Sequence, residues 1–307
     1  MRVIFSGSGE FGLPTLEALV AGGHEIVELF TQPNRPAGRG KKLTPTPVGA
    51  WADAHHLSPI RTENINRENL VAADVMVVIA FGQKIGPHVV HHPRLGSVNL
   101  HSSRLPKFRG AAPINWAILK GEAVTGNSVI RLAQKMDAGA IVGQSELPIG
   151  ETETAGELHD RLAQDGAGLV LRVLDELQSG TATELLQDES AATLAPKLNR
   201  QATLIDWARP AVEVSAQIRG LYPWPGCRVR LVGPEGAELA RVTLARSRSV
   251  PGAAPLPGFL NSQGLIATGD GLIDILELQP EGKRPMPLKD YRNGRPWPAG
   301  ARLESIA

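Results

Sequence analysis

The chain has 307 residues, 42% of them apolar, with 32 Lys and Arg against 31 Asp and Glu, a formal charge of +1. That length is long for one core and predicts two domains, and the apolar fraction excludes a disordered chain. Cys227 is the only cysteine, which excludes an internal disulfide, and an aromatic content of 4% leaves few stacking platforms for a purely RNA-binding module. From the N-terminus, Arg2 to Ser6 reads as an apolar strand, Pro14 to Ala21 as a helix stopped by Gly22-Gly23, and Glu25 to Thr31 as a second strand. No run of about 18 apolar residues occurs, and Met1-Arg2-Val3-Ile4-Phe5 enters a strand rather than a cleavable leader. A soluble, cytoplasmic, monomeric protein is expected.

Further along, Asp74 to Ala80 is almost continuously apolar, as a strand covered on both faces would be. Val98 to His101 reads as another strand, followed by a helix opening near Pro113, whose fixed φ suits a first helical position. Asn127 to Leu132 and Ala140 to Ile149 are two more predicted strands, and Thr154-Ala155-Gly156-Glu157 is a capping box that starts a long helix closed by Gly180. The fold class is therefore α/β, a doubly wound, mostly parallel sheet over residues 1–186. Residues 187–203 read as a linker. Beyond it, short segments at Arg228 to Leu231, Leu239 to Ala245, Gly264 to Thr268 and Leu272 to Leu278 predict a small β-barrel domain over 204–307.

Three local patterns compete for function. Gly7-Ser8-Gly9-Glu10-Phe11-Gly12 matches the dinucleotide fingerprint in the right strand-to-helix context. The second strand, however, ends Phe30-Thr31-Gln32-Pro33, with no acid to hold a ribose, so only an NADP-linked version using Arg35 or Arg39 stays open. His88, His91 and His92 have metal-like spacing, but Pro87 and Pro93 flank them and no Cys or carboxylate is close, so a loop of solvated imidazoles is expected, and no metal. Between Thr31 and Ala50 there is no acidic residue, while Arg35, Arg39, Lys41 and Lys42 fall within eight positions, a cationic loop suited to a polyanion.

The stretch Ser97-Val98-Asn99-Leu100-His101 puts two polar side chains on one strand face, since strand residues alternate. With Asp137, in Met136-Asp137-Ala138-Gly139, they make a set suited to acyl transfer. Asn99 supplies a donor for an oxyanion, His101 moves a proton, and Asp137 orients the imidazole, fixes its tautomer and favours its cation.

These residues resemble the methionyl-tRNA formyltransferase family over most of the chain. The resemblance rests on Asn99 to Pro113, on Asp137-Ala138-Gly139, on the basic stretch Phe30 to Leu43, and on Asp206-Trp207 with Tyr222-Pro223-Trp224-Pro225. It implies a Rossmann-like catalytic domain and an OB-like, tRNA-binding C-terminal domain. The implied donor is 10-formyltetrahydrofolate, and the implied acceptor is the α-amino group of methionine on initiator tRNA. It further implies Asn99, His101 and Asp137 as catalytic, Phe81, Gly82, Ser103, Arg104, Leu105 and Pro106 as folate-binding, and Arg35, Arg39, Lys41 and Lys42 as tRNA-binding. Arg104 stands where that family commonly has leucine, and its charge points to the anionic tail of folate or to a phosphate. Formyl transfer to a small amine, such as an amino-sugar nucleotide, remains the alternative.

Overall fold

The apolar stretch that begins at Val75 becomes the centre of a seven-stranded sheet because all five of its residues are buried. The strands are β1 (Arg2–Gly7), β2 (Glu25–Thr31), β3 (Ile60–Arg61), β4 (Val75–Ile79), β5 (Ser97–His101), β6 (Ser128–Arg131) and β7 (Ile141–Gln144). They lie in the order β7-β6-β5-β4-β1-β2-β3. The first five run parallel to one another, while β6 runs antiparallel to both β5 and β7. Strand order reverses between β1 and β4, which opens a crevice at the carboxyl ends. The computed structural model describes residues 1–37, 40–253 and 256–306. Among them, no helix is long and apolar enough to cross a membrane.

The chain divides into two units. The first comprises Met1–Gly110, Thr125–Leu147 and His159–Leu194, and the second comprises Ala111–Val124, Pro148–Leu158 and Ala195–Ala307. In the first, the long helix Ala155–Ser179 reaches the sheet where glycines let it approach. A Cβ on Gly166 would come within 2.6 Å of Leu100, and one on Gly143 within 2.7 Å of Val173. Leu100 therefore faces this helix, and strand alternation turns Asn99 and His101 to the opposite side.

Two predicted strands come out shorter. Residues 140–149 split into β7 and the pair Leu147–Pro148. Ser145 is drawn aside, donating its N–H to the Asn127 carbonyl at 3.0 Å and its hydroxyl to Asp165. The segment 264–268 shrinks to Ile266–Ala267. Gly264 takes φ +84°, and its carbonyl accepts from the Trp297 indole at 3.0 Å.

In the second unit the antiparallel strands β8 (Cys227–Val232), β9 (Glu238–Val250), β10 (Ile266–Ala267), β11 (Leu272–Pro280) and β12 (Arg302–Ser305) lie in the order β10-β11-β9-β8-β12. Bridges from Phe259 to Arg302 and from Leu260 to Ile266 join the two edges, so the sheet curls into a nearly closed barrel. Inside it Val229, Leu231, Val242, Leu244 and Ile275 pack with Val214 and Ile218 of the helix Ala211–Gly220. Cys227 is buried there, and burial pushes its thiol up to about 12.

The capping box forms as the sequence predicts. The Glu157 carboxylate accepts from the Thr154 N–H at 3.0 Å and hydroxyl at 2.9 Å, and it pairs with Arg246. Arg246, helped by Thr154, holds the Glu157 carboxyl at about 2, below its ordinary 4.5. A carboxyl depressed on folding adds stability that is fully present above the unfolded value and lost as pH falls through the folded one. Thermal melts of the full chain should therefore show the wild type ahead of Glu157→Gln above about pH 5, with the gap closing toward about pH 2. Because the pair is half exposed, the gap should be worth only about 0.2–1 kcal/mol. A gap that does not change with pH would contradict this linkage.

Candidate active site

Asn99 and His101 occupy the third and fifth residues of β5, at its carboxyl end, flanked by Ile130 and Ser128 of β6. Asn99 is partly buried, and among the described residues its carboxamide has no hydrogen-bond partner. Such a donor is free for a ligand, since a satisfied core amide would be spent on the protein.

His101 is 7% exposed. Its Nε2 lies 2.9 Å from the carbonyl of Phe108, and its Nδ1 lies 3.7 Å from Asp137 Oδ2. A carbonyl only accepts, so Nε2 carries a proton and Nδ1 holds the lone pair in the neutral ring. The tautomer is thus set by a main-chain carbonyl, not by Asp137 as expected from the sequence. Phe108 aims that carbonyl inward from a left-handed backbone, φ +61°. The Asp137 distance is beyond hydrogen-bond length, so the carboxylate acts on the ring through charge.

Asp137 is held at both ends. Its Oδ2 accepts the Gly110 N–H at 2.9 Å, and its backbone sits at φ +52°, a region that Asp tolerates better than most side chains. Gly139 is required two residues on, because a Cβ there would lie 1.8 Å from the Arg131 carbonyl. The Asp-x-Gly spacing therefore reflects a close backbone crossing.

The residues expected to bind folate differ in exposure and in their protein contacts. At the carboxyl end of β4, Ala80 and Gly82 have φ +47° and +76°. The Phe81 ring is buried in the core with Ile4, Phe30 and Met76, and its carbonyl accepts from Gln32 Nε2 at 2.9 Å, whereas Gly82 is exposed. Ser103 is fully buried, its hydroxyl donating to the Lys107 carbonyl at 2.7 Å and its carbonyl accepting from Ser128. Leu105 packs with Ile130 and Ile141, and Pro106 is half-buried. Arg104 is exposed and paired with Glu146 at 2.7 Å.

The basic stretch forms a two-stranded ribbon, Arg35–Ala37 against Lys42–Thr44. Arg35, Lys41 and Lys42 are exposed on it, and among the described residues none has an acidic partner. Arg39 lies outside the described residues. His88 and His92 instead meet the carbonyls of Asn66 and Val71, at 3.1 and 2.9 Å.

Sequence reasoning missed Arg109 and Gln187. Arg109 is 4% exposed and donates to Gln187 Oε1 and to both oxygens of Glu189. Hydrogen bonds from Arg109 and Lys135 hold the Glu189 carboxyl down at about 2. Gln187 falls at the first position of the predicted linker, yet it bonds within the first unit, to the carbonyls of Asp137 and Gly139.

Comparison with known proteins shows the family. Residues 1–174 match the formyl transferase family, and residues 197–296 match the formyl transferase C-terminal domain. A methionyl-tRNA formyltransferase of Moorella thermoacetica is 39% identical over the whole of both chains. That of Methylococcus capsulatus is 40% identical over 99% of each. The chain belongs to the methionyl-tRNA formyltransferase family. Solved structures agree on the fold. The sugar 3N-formyl transferase WlaRD, crystallised with dTDP and 5-N-formyl-THF, superposes with a TM-score of 0.68 over 92% of this chain and 99% of its own, at 16% identity. A Helicobacter canadensis N-formyltransferase, in complex with folinic acid and dTDP-3-aminofucose, gives 0.65 over 91% and 99%, at 17% identity. The Rossmann-like sheet followed by a barrel is thus the family's arrangement.

Proposed function

We infer that the chain transfers a formyl group from 10-formyltetrahydrofolate to the α-amino group of methionine on initiator tRNA, in the cytoplasm. The observation that carries this reading is the meeting of an unpartnered carboxamide, Asn99, with the His101–Asp137 pair at one end of the sheet. The residues fit a formylated folate. Asn99 offers an N–H to the formyl oxygen, and the exposed Gly82 turn leaves main chain beside β4 for a flat ring. Bound there, the folate supplies an activated formamide carbon. The neutral amine attacks that carbon, and charge builds on oxygen, where Asn99 donates. His101 Nδ1 takes the proton that the amine sheds, and the resulting cation is flanked by the Phe108 carbonyl and the Asp137 carboxylate. The same proton is then available to the departing folate nitrogen.

Full-length likeness to methionyl-tRNA formyltransferases, together with the ribbon cations Arg35, Lys41 and Lys42, favours a tRNA acceptor over an amino-sugar nucleotide. In this reading residues 1–186 are the catalytic domain, 187–203 the linker and 204–307 the tRNA-binding domain. An assay of formyl consumption should respond to charged initiator tRNA, and not to uncharged tRNA or to an amino-sugar nucleotide. Replacing Lys41 and Lys42 together by alanine should raise KM for tRNA about tenfold and leave KM for folate unchanged, and KM for tRNA should climb steeply with salt. A flat salt response, or turnover of the sugar nucleotide alone, would replace this acceptor with a small amine.

A further inference from the structure

Asp137 acts on His101 across 3.7 Å, so a small rotation of its turn would remove the effect. We propose that Gln187, backed by Arg109, is a positioning residue that clamps the Asp137–Gly139 turn from its main-chain side. The proposal rests on the reading of Asn99, His101 and Asp137 as the catalytic set.

The clamp is built from fully committed groups. Gln187 Nε2 has two hydrogens, and each goes to one carbonyl of the turn, Asp137 and Gly139, at 2.8 Å. Its Oε1 has two lone pairs, and these take Arg109 Nε at 3.0 Å and Nη2 at 2.7 Å. This double contact fixes which way the amide points, because a flipped amide would set its NH2 against the guanidinium and its oxygen against two carbonyls. Arg109 in turn is buried and locked on its far side by Glu189, through Nη1 at 3.1 Å and Nη2 at 2.8 Å. Glu189 also takes Lys135, two residues before Asp137, so the turn is tied at its entry as well.

Arg109 and Gly110 work as one piece. The Arg109 side chain reaches the turn's carbonyls through Gln187, and the next residue's N–H meets the Asp137 carboxylate at 2.9 Å. Main chain and side chain of Asp137 are thereby held against the same dipeptide, whose own N–H is anchored to the Thr193 carbonyl at 2.9 Å. Gln187 itself bonds the turn carbonyls and the Arg109 guanidinium, whereas the Arg109 N–H shares a peptide with the Phe108 carbonyl that His101 meets, so the test is placed on Gln187 rather than on Arg109.

The test compares Gln187→Ala, Gln187→Glu, Asp137→Asn and the double variant Asp137→Asn/Gln187→Ala in steady-state assays, with thermal melts. Gln187→Glu keeps the acceptors for Arg109 and loses both donors, so it reports on the clamp even if Gln187→Ala fails to fold. Either Gln187 variant should lower kcat about tenfold to a hundredfold with KM for both substrates within about twofold. The double variant should be no slower than Asp137→Asn alone. Losses that multiply in the double variant would place Gln187 outside the Asp137 route and overturn the proposal, as would full kcat in both folded Gln187 variants. Full activity in Asp137→Asn would overturn the catalytic reading beneath it, an outcome that variant reveals by itself.

Discussion

Replacing Asn99 with alanine is expected to lower kcat about 10²–10³-fold, equivalent to about 2.7–4 kcal/mol of lost transition-state stabilisation. The size follows from where Asn99 stands. It lies between Leu100, which packs on the long helix, and Val98, fully buried in the sheet, so its Cα is fixed while its carboxamide stays free. A free donor on a rigid strand meets a developing oxyanion without reorganising, whereas water in its place must first be ordered. Because the amide has no partner among the described residues, its removal leaves no buried group there unsatisfied, and the melting temperature should hardly move. Asn99→Asp should be slower still, since it sets a carboxylate where negative charge builds. Steady-state kinetics on folded variants decide the matter, and a loss of only a few-fold in Asn99→Ala would remove Asn99 from the chemistry.

What could be read in advance was whatever the chain encodes locally. The run from Val75 to Ile79 is apolar at every position, so it read as a doubly covered strand, and the capping box at Thr154 and Glu157 announced a helix that begins at Ala155. Asn99 and His101 share a face because a strand repeats every two residues, a rule that needs no partner. The misses around the site are tertiary. Ser145 breaks a predicted strand because Asp165 and Asn127 draw it aside, and they are 20 and 18 residues away. The acceptor that sets the His101 tautomer is a carbonyl, which every residue type carries, so nothing about Phe108 marks it. Gln187 stands 50 residues from Asp137 and 78 from Arg109, and a lone Gln in a polar stretch looks like linker until the backbone brings it back.

The same distinction bears on the cations. Arg104 and Arg109 are five residues apart and equally charged, yet Arg104 pairs with Glu146 at the surface while Arg109 is spent inside the fold. Arg109 is thereby committed to the fold, whereas Arg35, Lys41 and Lys42 stand on a ribbon in a stretch with no acid of its own. Charge density alone would not have separated these groups. Their partners do, and the ribbon is where added salt should act.

His101→Ala is expected to cost about 10²–10⁴-fold in kcat, the range for a positioned proton carrier. Two acceptors lie around the ring, the Phe108 carbonyl at Nε2 and the Asp137 carboxylate near Nδ1, and they hold it with Nδ1 as the nitrogen that can receive a proton. A proton carrier held in one orientation meets the amine's proton without first reorganising. His101→Gln should rescue little. A glutamine can donate to the Phe108 carbonyl and keep the loop in place, but it cannot take up the proton. If His101→Gln instead turned over near the wild-type rate with normal melting, the ring would be only a strut for the Phe108 loop, and the proton would have to leave by another route.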